Sequence, residues 1–365
     1  MKTSVAILVV IVAVVVVCSI AVIVRHPRSP LMDAKFMLHD AEGPNAGAFS
    51  EELGVNTIKI YLDHAWSRVE PVNNQWSWGD EFFPSNTIEY SHCMLQIGAL
   101  HMLAWNSTDL PGWVNKDNLD GEFKEQYGEF VQEAVRQVKQ RNISVDLYLV
   151  ELEANAAGHE IAGGNLTNAW IIDWIKWEVE LIKSMAPDAK IGIPLTPTEF
   201  RPEESLDNTD DRGIILLADF VERMIQENVQ FDAFGFNVAS GAYDNVDNWT
   251  ALQAVLDKWS TIDKEIFVWA MGYPANNDDN LPFHNPRAGG YSEEWQKEQY
   301  VNSLRLLLEN PNVIGVSINL YDYQEPELAT PYHWGLVGGD RTRPETLFKR
   351  PSFDAVKDFW HNNYR

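Results

Sequence analysis

Two hydrophobic periods alternate along this chain. Runs of alternating or β-branched apolar residues predict strands at Thr57–Tyr61, Met94–Trp105, Val145–Glu153, Lys190–Leu195, Ala233–Val238, Glu265–Met271 and Val313–Leu320, with Ala34–His39 as an eighth. Between them, Glu122–Arg141, Ala169–Met185, Gly213–Glu227 and Glu293–Asn310 carry apolar residues at helical spacing. Eight strands alternating with helices predict an α/β fold, a (β/α)8 TIM barrel rather than a doubly wound sheet. No G-x-G-x-x-G follows a strand, which weakens the dinucleotide-binding alternative. No internal repeat or low-complexity tract interrupts the barrel segment. In such a barrel, chemistry sits at the C-terminal strand ends.

The N-terminus has a different pattern. Val5–Val24 is 20 residues long and carries no charge. As a helix it spans about 30 Å, the thickness of a hydrocarbon core. It reads as a transmembrane signal anchor, and a cleaved signal with Ser19 and Ala21 as its small-x-small site is the competing reading. Lys2 flanks one side and Arg25 and Arg28 the other, so the positive-inside rule does not settle orientation. Residues 1–31 are thus expected to be anchor and short linker, and residues 32–365 the barrel.

Composition narrows the function classes. The 365 residues are 45% hydrophobic, too apolar for a disordered chain. With 53 acidic and 28 Lys or Arg residues the net charge is −25, which repels phosphate backbones, so no nucleic-acid partner is expected. Cys18 and Cys93 are the two cysteines, too few for a disulfide framework. No Cys/His cluster has zinc spacing, and neither a metal nor a cofactor is expected. The 14 Trp are the unusual number: they serve either as core or as indole platforms for sugar rings.

Alternation along Leu147–Asn155 puts Tyr148, Val150, Leu152 and Ala154 under the helices. Glu151, Glu153 and Asn155 then share the face that points into the barrel mouth, where unpaired carboxylates are costly unless they are functional. The other strand ends offer Asp63, Trp66 and Glu70 after the second strand, and His101, Trp105 and Asn106 at the end of the third. Asn237 ends the sixth, and Tyr321, Asp322 and Trp334 follow the eighth.

These residues carry a resemblance. Trp66–Pro71 (WSRVEP), with Trp76 and Trp78, looks like the W-x-x-x-E-P…W segment of clan A glycoside hydrolases. Leu100–Trp113 (LHMLAWNSTDLPGW) resembles the G-H-T-L-V-W-H-S-Q-L-P-x-W signature of family 10, the endo-β-1,4-xylanases. Trp170–Ile193 and Trp334–Phe359 resemble that family's helix after the catalytic strand and its C-terminal end. The resemblance implies a sugar-binding mouth built from Asp63, Trp66, His101, Trp105, Asn106, Glu151, Asn237, Tyr321 and Trp334, with an oligo- or polysaccharide as partner. It also implies a barrel displayed outside the cytoplasm on its anchor, or secreted if the segment is cleaved.

The departures concern the chemistry. Aligned on W-D-V-V-N-E-A, Glu153 takes the place of the acid/base; aligned on E-I-W-N-E, Asn155 replaces it. The nucleophile position in Val268–Pro274 (VWAMGYP) falls on Ala270, and Ala65 replaces a Lys that serves the −1 sugar. Asn106 replaces the family's His. An inverting arrangement could instead pair Glu153 with Asp322, Asp63 or Glu199. Three readings stay open: an active glycoside hydrolase with rearranged carboxylates, an inactive glycan-binding barrel, and a structural or interaction barrel.

Overall fold

The computed structural model describes residues 35–39, 45–83, 90–104, 107–156, 166–200, 211–239, 249–276, 290–322 and 333–364. The apolar run Val5–Val24 lies outside them. No helix among the described residues is long and apolar enough to cross a membrane.

Eight parallel strands form one sheet: β1 Phe36–His39, β2 Thr57–Tyr61, β3 His92–Ile97, β4 Leu147–Val150, β5 Ile191–Pro194, β6 Ala233–Ala239, β7 Glu265–Gly272 and β8 Val313–Ile318. From β2 to β8 each strand pairs with its sequence neighbour, and β1 pairs with β8, so the order is that of a (β/α)8 barrel. The long helices are α1 Ala46–Leu53, α2 Lys124–Gln140, α3 Asn168–Met185, α4 Leu217–Gln226, α5 Trp249–Trp259, α6 Glu293–Glu309 and α7 Pro351–Asn363. Ser292 and Thr167 cap α6 and α3 through their side-chain oxygens, as their sequence positions suggest. After β2 the described chain forms only the one-turn helix Trp66–Val69. A short antiparallel pair, β9 Val337–Gly338 and β10 Phe348–Lys349, leads into α7.

Side-chain clamps close the N-terminal end of the barrel. Asn56, just before β2, accepts from Met37 N (2.8 Å) through its side chain while its own N–H donates to Met37 O (3.2 Å). Asp146 does the same for Cys93 before β4, and Asp232 for Ile191 before β6. Before β8 the equivalent bond, Ile266 N to Asn312 O (2.8 Å), is made by backbone alone. Asn56 thus closes the seam between β1 and β2, where no ladder is formed.

Alternation separates the interior from the wall. Phe234 and Phe236 pack outward on Trp259 of α5. Inside, the Phe267 ring occupies the space where a Cβ on Gly235 would stand and lies 3.0 Å from where one on Gly192 would be, with Leu147 and Leu149 at 3.1 Å. The Phe36 ring fills the matching space at Gly315. Two large rings are therefore accommodated by three glycines.

Two predicted strands were too long. β3 stops at Ile97, and Leu100–Ala104 is a one-turn helix, so His101 is not on a strand. β4 stops at Val150, because Glu151 (φ 60°) and Glu153 (φ 52°) adopt left-handed backbone that no strand continues through.

Gly235→Ala forces the Phe267 ring to move and is expected to destabilise the barrel by about 1–3 kcal/mol. Gly47→Ala, in α1 where a Cβ meets nothing within 4 Å, is expected to be neutral or stabilising by up to ~1 kcal/mol. Thermal melts of the two full-length variants check the contrast; equal melting temperatures would refute the interior packing.

Candidate functional site

The broken parity at the end of β4 decides which carboxylate faces the mouth. Glu151 turns outward and is fully buried. Its Oε1 accepts from Ala99 N (3.1 Å) and from Trp174 Nε1 of α3 (2.7 Å), and its Oε2 accepts from Leu100 N (2.8 Å). It faces Glu178 of α3, whose Oε1 accepts from Tyr127 OH of α2 (2.6 Å). Burial raises the pKa of both acids, and Glu151 pushes Glu178 up further. Glu178 therefore keeps its proton and donates it to Glu151, which satisfies an oxygen that otherwise lacks a partner. Glu151 is thus corrected from a sugar-binding residue to an anchor between barrel wall and helices.

Two residues on, Glu153 returns to the mouth. Its backbone N–H donates to Pro194 O (3.0 Å), and its Oε1 accepts from Asn237 Nδ2 (3.2 Å). Asn237 is in register with Ala270 on β7, just past a bulge at Trp269. The fold therefore joins Glu153, Asn237 and Ala270 into one contiguous patch. Asn155 goes elsewhere: it is 2% exposed, its Oδ1 accepts from Thr196 N (2.8 Å), and its Nδ2 donates to Thr196 O (2.9 Å). Asn155 is thus spent on stapling the neighbouring loop at Thr196.

The rest of the rim falls into two parts. At the β2 and β3 ends, buried Asp63 accepts from Gln96 Nε2 (2.6 Å), and its Oδ2 lies 3.3 Å from His64 Nε2. His64 Nδ1 meets Asp109 Oδ2 at 2.8 Å, and the His101 ring packs edge-on to the His64 ring at 4.8 Å. Burial, then the neighbouring His64, lowers the His101 pKa to about 3, so the ring is neutral; burial raises that of Asp63. Ligand atoms of Asp63, His64 and His101 all lie within 4.8 Å of one another. Asp63 and His64 follow β2 and His101 follows β3, so no spacing rule reveals the set. At the β7 and β8 ends, half-buried Trp269 donates through Nε1 to Leu195 O (2.9 Å). Half-buried Trp334 packs on Gly272, where a Cβ would stand 2.9 Å from the Trp334 Cβ and 2.5 Å from Asn319 Nδ2. Sequence reasoning missed His64, Asp109, Trp269 and Asn319. Trp269 was legible, lying beside Ala270 on a strand end.

Two further expectations are corrected. Trp66 is fully buried, stacks on Phe130 and donates to Glu70 Oε2 (2.9 Å), which leaves no face for a sugar. Tyr321 is 2% exposed and packs against Phe49 of α1, outside the barrel. Trp105 and Asn106 lie outside the described residues. Among the proposed bases for inversion, Asp322 is held by both Nη atoms of Arg350 (2.6 and 2.9 Å), by Gly335 N and by His333. Glu199 accepts from Trp259 Nε1 and from Ala218 N of α4 on the outer side. Asp63, itself without exposed surface, is the one of the three at the β2 and β3 strand ends.

The Glu151–Glu178 pair makes stability pH-dependent. Its folded pKa values lie above the 4.5 of a free glutamate, so the folded state holds a proton that the unfolded chain releases. The contribution is full below that value and lost as pH climbs through the raised one. Glu178→Gln keeps a donor for Glu151 without a proton to lose. Melting temperatures from about pH 5 to about pH 9 should therefore fall less steeply in the variant than in the wild type.

No protein-family model and no curated protein matches the chain. Solved structures do. Xylanase 10B from Thermotoga petrophila RKU-1, in complex with xylobiose, is 14% identical with a TM-score of 0.59, over 90% of this chain and 94% of that one. A glycosylated family 10 endo-β-1,4-xylanase from Gloeophyllum trabeum is 15% identical with a TM-score of 0.57, over 90% and 97%. A GH2 β-galacturonidase from Eisenbergiella tayi, bound to galacturonate, is 16% identical with a TM-score of 0.56. That match takes in 91% of this chain but 52% of the galacturonidase, so the chain spans about half that enzyme's length. These likenesses, together with the eight-stranded parallel sheet, establish that the chain has the (β/α)8 barrel fold shared by family 10 xylanases and the GH2 galacturonidase.

Proposed function

We propose that this chain is a membrane-tethered glycoside-hydrolase-like barrel that holds β-1,4-linked oligosaccharide of the xylan type in its mouth. The observation that carries the reading is the patch Glu153–Asn237–Ala270, a hydrogen-bonded carboxylate and amide facing an alanine. Retaining hydrolysis needs two carboxyl groups about 5–5.5 Å apart, one to protonate the leaving oxygen and one to attack carbon. Ala270 has no oxygen, so Glu153 keeps the place of the acid without a nucleophile across from it. What remains suits binding: polar groups that accept and donate to hydroxyls, and the half-buried indoles of Trp269 and Trp334 on the rim. The Val5–Val24 run supports the tether, and a polysaccharide partner favours a barrel on the extracytoplasmic side.

Binding is tested by titrating full-length protein with xylo-oligosaccharides and following Trp fluorescence. Saturable quenching is expected, and Trp334→Ala should weaken binding by ~1–3 kcal/mol. Unchanged affinity would remove Trp334 from the site; no binding of any β-1,4-glycan would favour the structural-barrel reading.

Chemistry is tested on xylan. Wild-type turnover is expected to be undetectable or very slow, and Ala270→Glu should create or raise it with Glu153 as the acid. Brisk wild-type turnover with inversion would instead assign a second carboxylate, Asp63 first, as base. Brisk turnover with retention would place a nucleophile elsewhere. The tether predicts that the chain stays with membranes through carbonate and high-salt washes; a soluble mature form beginning near residue 22 would show cleavage.

A further inference from the structure

The β2/β3 end of the rim brings together two imidazoles and a buried carboxylate that the glycan reading does not require as a set. We propose that Asp63, His64 and His101 form a binding site for one divalent transition-metal ion of the zinc class, with Asp109 orienting His64.

Ligand chemistry selects the ion. Two imidazoles and a carboxylate suit zinc, nickel, copper or iron, whereas magnesium and calcium take oxygen ligands. Geometry supports it. At about 2.0–2.2 Å from a tetrahedral zinc, neighbouring ligand atoms stand roughly 3.3–3.6 Å apart. His64 Nε2 and Asp63 Oδ2 are already 3.3 Å apart, and all three ligand groups fall within 4.8 Å. His101 needs only a side-chain adjustment to close on the ion.

The surroundings are those of metal-bound histidine. His64 turns its other ring nitrogen to Asp109 Oδ2 at 2.8 Å, the carboxylate–histidine arrangement that fixes the tautomer and leaves Nε2 to the metal. Gln96 Nε2 holds Asp63 Oδ2 at 2.6 Å, while Asp63 Oδ1, buried, has no hydrogen-bond partner among the described residues. A carboxylate with no exposed surface is costly without a cation beside it, and a dication at this point balances it. Three protein ligands leave a fourth position for water or a sugar hydroxyl, since the site opens on the same rim as the glycan mouth.

The competing arrangement is a protonated His64 bridging Asp63 and Asp109, which needs no metal. Cobalt(II) titration of chelator-stripped full-length protein, without any glycan, separates the two. One equivalent per chain is expected, with the visible d–d absorption of a four-coordinate ion, displaced by zinc(II). His64→Gln and His101→Gln should each weaken uptake at least about tenfold, and Asp109→Asn by about 10- to 100-fold. His361→Gln, on α7, should leave it unchanged. Wild-type protein that takes up no cobalt or zinc overturns the proposal, however the variants fold. Uptake that His64→Gln and His101→Gln leave intact in folded protein overturns it as well. Because no sugar is present, neither result bears on glycan binding.

Discussion

The mouth of this barrel depends on one buried carboxylate, Glu151. It receives two backbone N–H groups at the end of β3, an indole N–H from α3 and the proton of Glu178. The first two donors open the one-turn helix that carries His101, and the third ties that point to the helix layer. Gly98 makes the approach possible: a Cβ there would stand 2.8 Å from Glu151 Cα and 2.9 Å from its Oε2. Each donor left unpaired by removing Glu151 would cost about 1–3 kcal/mol, so the anchor is far more than a filler of space. It also sets the course of the chain, because the left-handed turn at Glu151 ends β4 and delivers Glu153 to the interior.

The opposite end of the barrel is held differently. Asn56, Asp146 and Asp232 each sit just before an even-numbered strand and clamp the start of the preceding odd one with a side chain and a backbone N–H. These clamps tie the N-terminal face, and the two phenylalanine rings packed against glycine fill the interior. The C-terminal face is relieved of closing the sheet, and its polar residues can project into the mouth. This is the physical basis of the division between a stabilising bottom and a functional top in such barrels.

Alternating strands and helices made the architecture legible, since a strand or helix needs only its own periodicity to be recognised. The centres of β2, β5, β6, β7 and β8 fall where the pattern predicts. The site was less legible because facing was extrapolated by parity past the point where the ladder ends. Glu151 and Asn155 were assigned to the mouth on that basis, and each is spent on the wall or a loop instead. The tryptophan surplus left two roles open, core or sugar platform. Trp66, Trp78, Trp174 and Trp177 join Phe123, Tyr127 and Phe130 in an aromatic cluster on the outer side of β2–β4, so most of those indoles are core. His64 and Asp109 went unnoticed because only the fold brings their βα units together.

The shape of the mouth follows from what β5 and β6 lack. In a closed barrel the ends of β4 and β6 are separated by β5, and a large inward residue on β5 would keep their side chains apart. Here the inward positions of β5 are Gly192 and Pro194, so Glu153 reaches across to Asn237. β6 carries Gly235 at its inward position, which admits the Phe267 ring below. Trp269, displaced by the bulge, then crosses the β6 end to reach Leu195 O. Long polar and aromatic groups from β4 and β7 therefore converge over the short residues of β5 and β6. Asn237 lies between Glu153 and Ala270, with its carboxamide already bonded to the former. A carboxylate placed at position 270 would meet the amide that already serves Glu153 rather than an apolar wall. Glu153, Asn237 and Ala270 thus form one patch held by the Glu153–Asn237 hydrogen bond and the β6–β7 register.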